Sequence, residues 1–373
     1  MSWKRLGYLW HIMGSTIIVL VLINIFLNAI FSLYYSRSRG PGPNWDGFSE
    51  SRRQAYRGMT SDEVRDLLDW TWRPGFVYEP EIGFHEASRA SRFVNVSTQG
   101  IRLTPGAESE LAKADLDKSI LLFGGSTMFG YGVSDAQTIA AHLQRGVQRF
   151  NFMNLGRGAY YSGQESLFLL RLLQSGYRIR YAAFLDGINE RCDFGLYRAQ
   201  LEKLFNQAQS NRVGYFWDWR HQFLFPMEWL ARLLRAKIAP PPIKPDYMDR
   251  LNCHNYDNTV RLRDVVAQNM KARRGICAAF GVLCITFIQP FGGVHGPLVE
   301  QNAVRPGMRA AFKAKYEQLR PMWNETGAVD ISEVLDSISE PAFVDNVHYS
   351  NGANKLIAER MWPVLRERFG LSE

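Results

Sequence analysis

The stretch ILLFGGSTMFG, residues 120 to 130, ends an apolar run in two glycines followed by Ser126 and Thr127. A tight turn accounts for those four residues taken alone. A nucleophile accounts for them if the rest of the chain supplies its partners. A serine needs a base to take its proton, and that base needs an acidic residue to orient it. Asp345 and His348, in FVDNVHYSNG, offer both from one loop. The aspartate can grip one imidazole nitrogen while the other faces the serine. His348 by itself is an ordinary surface or helix-cap histidine. If a helix starts just after Ser126, its first-turn N–H groups lack intrahelical acceptors and face the same space as the hydroxyl. A developing oxyanion would be stabilised there, and Gly124 and Gly125 would let a substrate approach the backbone. The Gly-Lys-Ser/Thr ending of a P-loop is absent.

Two further segments carry polar residues at the ends of apolar runs: Asn154-Leu155-Gly156-Arg157-Gly158 and Asp186-Gly187-Ile188-Asn189-Glu190. With these, four elements stand in one order. In that order the chain resembles the SGNH/GDSL hydrolase superfamily, whose motif blocks carry Ser, Gly, Asn and Asp-x-x-His. The resemblance covers roughly residues 115 to 370. It implies Ser126 as nucleophile, with His348 as base and Asp345 as orienter. It implies an oxyanion hole from the Ser126 N–H, the Gly158 N–H and the Asn189 side-chain amide. The first block reads Gly-Gly-Ser rather than Gly-Asp-Ser, and Glu190 stands where Asp is common. The block-two glycine commonly follows the asparagine by five residues. That position is Ala159 here, with Gly158 one step earlier. A backbone donor tolerates alanine if the turn permits, and Gly158 is the choice made on sequence.

The implied activity is hydrolysis of carboxylic esters, including O-acetyl esters, on a glycan or a lipid-linked substrate. Two other readings use the same residues. One is an O-acyltransferase acting on an exported polysaccharide. The other is an inactive scaffold that binds glycan. The chemistry requires no metal and no cofactor. His295, in FGGVHGP, is a loop histidine that could support the site or touch substrate.

These residues need elements to hold them. KSILLFGG, FNFMNLG, YRIRYAAFLDG and VLCITFIQP read as buried strands, and GAVDIS as a short fifth. DAQTIAAHLQRGVQ, QESLFLLRLLQSG, VRLRDVVAQNMKARRGICAAFG and NGANKLIAERMWPVLRERFG read as helices, with Asp135 capping the first and Gly176 ending the second. Strand and helix alternate, as one parallel sheet requires, and ligands then bind at the strands' carboxyl ends. Together with the resemblance this implies an α/β fold: a flavodoxin-like three-layer α/β/α sandwich with a central parallel sheet, preceded by one transmembrane helix. The hydrolase-like domain runs from 116 to 373. It is interrupted at about 194 to 255 by an insertion with Trp217, Trp219 and Trp229. That insertion fits a lid, a sugar-stacking surface, an element resting on a bilayer, or simply a helical core.

Residues 36 to 115 divide into a Gly/Pro/Ser-rich linker and a cover segment of extended strands and turns. TSDEVRDLLDW, capped by Thr60 or Ser61, is a short helix within it. Residues 12 to 35 contain no charge, and about 20 apolar residues cross a bilayer. Trp10, Tyr34 and Tyr35 stand where interfacial aromatics belong. Asn24, Asn28 and Ser32 form a polar stripe that could bind another membrane helix, unless they are merely tolerated in the span. Lys4 and Arg5 precede the span, and Arg37, Arg39, Arg52 and Arg53 follow it. The flanking charge therefore does not favour an external carboxyl-terminal domain, whereas the resemblance and the anchor point to an extracytoplasmic one.

With 46% hydrophobic and 21% charged residues among 373, the chain is a folded protein rather than a disordered one. The net charge of +8 suits an anionic surface. No zinc-finger spacing or RNA-binding aromatic motif accompanies it, which argues against a nucleic-acid partner. The four cysteines form no CxxC pair. Cys277 and Cys284 read as small core residues, and Cys192 and Cys253, flanking the insertion, as a candidate disulfide outside the cytoplasm.

Overall fold

A computed structural model describes most residues from 50 to 190, 256 to 297 and 306 to 371, and scattered residues of a helical segment between 3 and 26. The chain divides into two units, Met1–Gly42 with Asn206–Lys244, and Pro43–Phe205 with Pro245–Glu373. In the first, the described helical residues expose Trp10, Ile18, Val19, Leu22, Ile25 and Phe26. Among the described residues, no helix is long and apolar enough to cross a membrane. Asn24, Asn28 and Ser32, and the span from 27 to 35, lie outside the described residues, as does the insertion with Cys192 and Cys253.

The second unit is built on five parallel strands: β3 (Leu116–Gly124), β4 (Asn151–Asn154), β5 (Ile179–Asp186), β6 (Leu283–Ile288) and β7 (Val329–Asp330). Their order across the sheet is β4-β3-β5-β6-β7. Counted along the chain this is 2-1-3-4-5, the flavodoxin-like order, and the direction of winding reverses beside β3. Alternate residues feed opposite faces, as a strand's period of two demands. Ile120, Leu122, Ala183 and Leu185 enter one core, and Leu121, Phe123, Ala182 and Phe184 the other.

Helices cover both faces. On the first lie α4 (Ile139–Gly146) and α8 (Asn351–Phe369), which bury Ile139, Leu143, Ile357, Met361 and Leu365. On the second lies α5 (Ser162–Gln174), burying Phe168, Leu169 and Leu172. Beside it, α6 (Tyr256–Phe280) and α7 (Pro306–Thr326) share a third core around Phe291 and Trp323. Sequence reading leaves α7 unassigned; Pro321 interrupts its pattern.

Four expectations are corrected. Cys277 and Cys284 are bonded to each other, joining the end of α6 to the start of β6. Asp135 does not cap α4. Thr138 does, accepting from the Ala141 N–H at 3.2 Å, while Asp135 pairs with the buried Arg102 and accepts from the Asn95 side chain. Burying Arg102 without a counter-charge would be costly, which explains where that carboxylate goes. Part of the expected linker is helical, α1 (Glu50–Ala55). The fourth, Gly158, concerns the site.

The cover segment packs within the same unit. In α2 (Ser61–Trp72), Thr60 and Glu63 form reciprocal capping bonds. Val64, Leu67 and Leu68 share one face and bury against Phe129, Tyr131 and Val344. A hairpin of β1 (Phe76–Glu79) and β2 (Gly83–Glu86) follows. Its Ile82 and Phe84 join the second core of the sheet.

Candidate active site

At the carboxyl end of β3 the chain turns at once into a four-residue helix, α3 (Ser126–Phe129). Ser126 is its first residue, so its N–H has no acceptor within the helix. The neighbouring Thr127 is fixed by donating to Gln289 Oε1 at 2.6 Å, beyond the end of β6. Ser126 itself is buried.

The histidine that meets Ser126 comes from the far end of the chain. Residues 342 to 350 form a tight loop closed by the Val344 N–H to His348 carbonyl bond at 2.8 Å and the Ser350 N–H to Ala342 carbonyl bond at 2.9 Å. Tyr349 ties the loop to the segment that follows β6 by donating to the Pro290 carbonyl at 2.7 Å. Within it, Asp345 Oδ1 accepts the N–H groups of Val347 and His348 at 2.7 and 2.8 Å. Asp345 Oδ2 lies 2.8 Å from His348 Nδ1, and His348 Nε2 lies 2.8 Å from Ser126 Oγ. Three residues separated by up to 222 positions thus stand in one hydrogen-bonded line. Burial would raise the Asp345 carboxyl. The charge of His348 and the bonds from His348 and Val347 outweigh it and hold the group below the ordinary 3.8.

Asn189 occupies the loop after β5. Its Nδ2 donates to the Tyr160 carbonyl at 2.6 Å, which uses one of the two amide hydrogens. A Cβ on Gly125 would collide with that same Nδ2, so the glycine before Ser126 lets the amide sit against this stretch of backbone. Three bonds hold the loop itself. The Ser162 N–H donates to Glu190 Oε1 at 2.8 Å, Lys315 Nζ donates to the Ile188 carbonyl at 3.0 Å, and Arg273 Nη1 pairs with Asp186 at 2.7 Å. Burial first, and Asp186 next, push the Glu190 carboxyl up.

Gly158 is not where the sequence puts it functionally. Its N–H donates to Glu86 Oε1 at 2.8 Å, so it is occupied rather than aimed at an oxyanion. The cause is the cover hairpin, which brings a carboxylate to this loop from 72 residues away. A Cβ at Gly158 would press on Tyr131 Oη at 2.7 Å and on Glu86 Oε1 at 3.1 Å, so this glycine makes room for that contact. Ala159, five positions after Asn154, takes φ 61°, the left-handed region that favours glycine. Asn154 supports α3 from below, its Nδ2 donating to the Met128 carbonyl at 2.9 Å.

Sequence reasoning missed Glu86, Trp72, Tyr131, Arg273 and Lys315. Tyr131 stacks on the His348 ring, centroids 5.5 Å and planes 21° apart. Trp72 meets the same ring edge to face at 5.0 Å and keeps 40% of its surface exposed. His295 lies apart from this line, with Nδ1 3.3 Å from Asp336. Among the described residues, no group of three or more His, Cys, Asp or Glu is placed to hold a metal ion.

No family model matches the chain, and no curated protein does. Solved structures similar to it include a lipolytic protein of the G-D-S-L family from Veillonella parvula, 12% identical, covering 66% of this chain and 97% of that one, with a TM-score of 0.37. An acetyl xylan esterase is 10% identical over 66% and 98% of the two chains, with a TM-score of 0.35. A carbohydrate acetylesterase family member from Sinorhizobium meliloti is 12% identical over 68% and 100%, with a TM-score of 0.34. At this distance the similarity assigns no role to any residue.

Proposed function

We propose that this protein is a membrane-anchored serine esterase of the SGNH/GDSL kind, acting on carboxylic esters of a glycan or a lipid-linked substrate. One observation carries the reading: the continuous line from Ser126 Oγ through His348 to Asp345, each step 2.8 Å. His348 Nε2 takes the Ser126 proton as Oγ bonds to the ester carbonyl carbon. The resulting oxyanion accepts from the Ser126 N–H and from the second hydrogen of the Asn189 amide, the Gly158 N–H being taken by Glu86. His348 then gives its proton to the leaving alkoxide as the C–O bond breaks. Water then bonds to the acyl carbon as the same nitrogen takes its proton, and that proton passes to Ser126 Oγ as the Oγ–C bond breaks and the acid leaves. Each oxyanion donor is worth roughly 3 kcal/mol to the transition state.

The uncharged run from 12 to 35 and the exposed apolar side chains between 10 and 26 support the anchor. The Cys277–Cys284 disulfide supports a catalytic domain outside the cytoplasm, against the weight of the flanking arginines. A complete line of nucleophile, base and orienter favours an enzyme over a scaffold. The test is hydrolysis of p-nitrophenyl acetate, butyrate and octanoate by the full chain in detergent and by its Ser126→Ala variant. The esterase reading expects turnover that the substitution abolishes. Equal rates for the two proteins would overturn it.

A further inference from the structure

Glu86 closes the β2 strand and is fully buried. A buried carboxylate is costly unless its oxygens are well satisfied. Here Oε1 accepts twice, from the Gly158 N–H at 2.8 Å and from Tyr131 Oη at 2.9 Å. Oε2 is buried with no hydrogen-bond partner. Such an orphan calls for an explanation beyond packing. The two groups bound to Oε1 supply it. Gly158 directly precedes the left-handed Ala159 in the loop after β4. The ring of Tyr131 lies flat against His348. Burial first, and Glu86 next, push the Tyr131 phenol well above its ordinary 10.0, so it remains a protonated donor to the carboxylate.

We infer that Glu86 is a positioning residue, whose one oxygen fixes the Gly158 loop and the Tyr131 wall behind His348 in a common geometry. The cover hairpin is thereby part of the active site. The inference rests on the serine esterase reading. Glu86 touches no reacting atom. It acts by keeping Tyr131 against the imidazole as His348 takes and gives its proton, and by tying that ring to the Gly158 loop. Its loss should therefore be felt in the transition state rather than in substrate binding.

The test compares full-chain Glu86→Ala, Glu86→Gln and Tyr131→Phe in detergent with p-nitrophenyl acetate. Turnover by the parent that Ser126→Ala abolishes must be seen first. Its absence sinks the esterase reading, and this inference with it. Given that activity, Glu86→Ala should lower kcat by about 10- to 100-fold, with KM within about threefold. Glu86→Gln keeps an oxygen for both bonds and should recover most of the lost kcat. Tyr131→Phe breaks one of the two bonds and should cost less, about 3- to 10-fold in kcat, and add little in the double variant with Glu86→Ala. A folded Glu86→Ala with parental kcat would overturn the inference, as would a loss confined to KM or no recovery with glutamine. Should Glu86→Ala fail to fold, Tyr131→Phe with parental kcat overturns it equally.

Discussion

Two histidines in the second unit each face an aspartate, and only one of the pairs continues to a serine hydroxyl. His348 Nδ1 is 2.8 Å from Asp345, whose other oxygen is locked by two backbone N–H groups. His295 Nδ1 is 3.3 Å from one oxygen of Asp336 and 3.5 Å from the other, and that carboxylate is 49% exposed. The far nitrogen of His348 meets Ser126. The far nitrogen of His295 is buried with no hydrogen-bond partner. Residue types therefore do not make a site. What separates the pairs is a rigidly held orienter on one side of the ring and a hydroxyl on the other. Bonds to exposed carboxylates are weak and screened, whereas a partly buried, multiply bonded one can hold an imidazole in a single orientation.

Substitutions can break that contrast. The largest effects belong to the first pair. His348→Ala should lower kcat/KM on p-nitrophenyl acetate by about 10⁴-fold or more, and Asp345→Asn by about 10⁴-fold, with little further loss when either is combined with Ser126→Ala. Steady-state kinetics on the purified variants would read this. A comparable loss in His295→Ala would erase the distinction. The expectation for His295→Ala and Asp336→Asn is kcat/KM within about twofold of the parent.

Acid stability sharpens the same contrast. Asp345 is held below the ordinary 3.8, so its folded form binds protons less readily than its unfolded form. Its stabilisation is complete above the ordinary aspartate range and is lost as pH falls through the lowered folded value. Chemical denaturation followed from pH 6 downward should show a steeper fall for the parent than for Asp345→Asn. Parallel curves would count against the ion pair.

The smallest effect is conformational. Ala159 holds φ 61°, and an alanine there is strained in a way glycine is not. Ala159→Gly should raise the stability by about 0.5–1 kcal/mol, measured by denaturant unfolding. A destabilised variant would argue that the turn is not left-handed in solution.

Much of this site was legible in the sequence because its parts are local. Ser126 ends an apolar run at two glycines, and Asp345 and His348 share one loop, so a strand pattern and a three-residue spacing suffice to nominate them. The alternation of strands and helices likewise set the parallel sheet that carries Ser126 to its carboxyl end. What stayed hidden is what comes from elsewhere in the chain. Glu86 belongs to a short hairpin whose docking on the loop at Gly158 depends on long-range packing of Ile82 and Phe84, and no spacing announces it. Gly158 looked like an oxyanion donor because glycine suits that work. It is glycine because Tyr131 and Glu86 crowd it. Asp135 looked like a cap because it precedes a helix, but a buried arginine 33 residues away took its carboxylate. The Cys277–Cys284 bond crosses a turn between helix and strand, a spacing that matches no familiar cysteine motif.

The central claim is that His348, oriented by Asp345, activates Ser126. The most direct measurement is labelling of the full chain by a fluorophosphonate ester, read by peptide mass spectrometry. The account predicts a single stoichiometric adduct on Ser126, absent in Ser126→Ala and formed far more slowly in His348→Ala. Labelling of Ser126 at the parental rate in His348→Ala, or none at Ser126 in the parent, would contradict it.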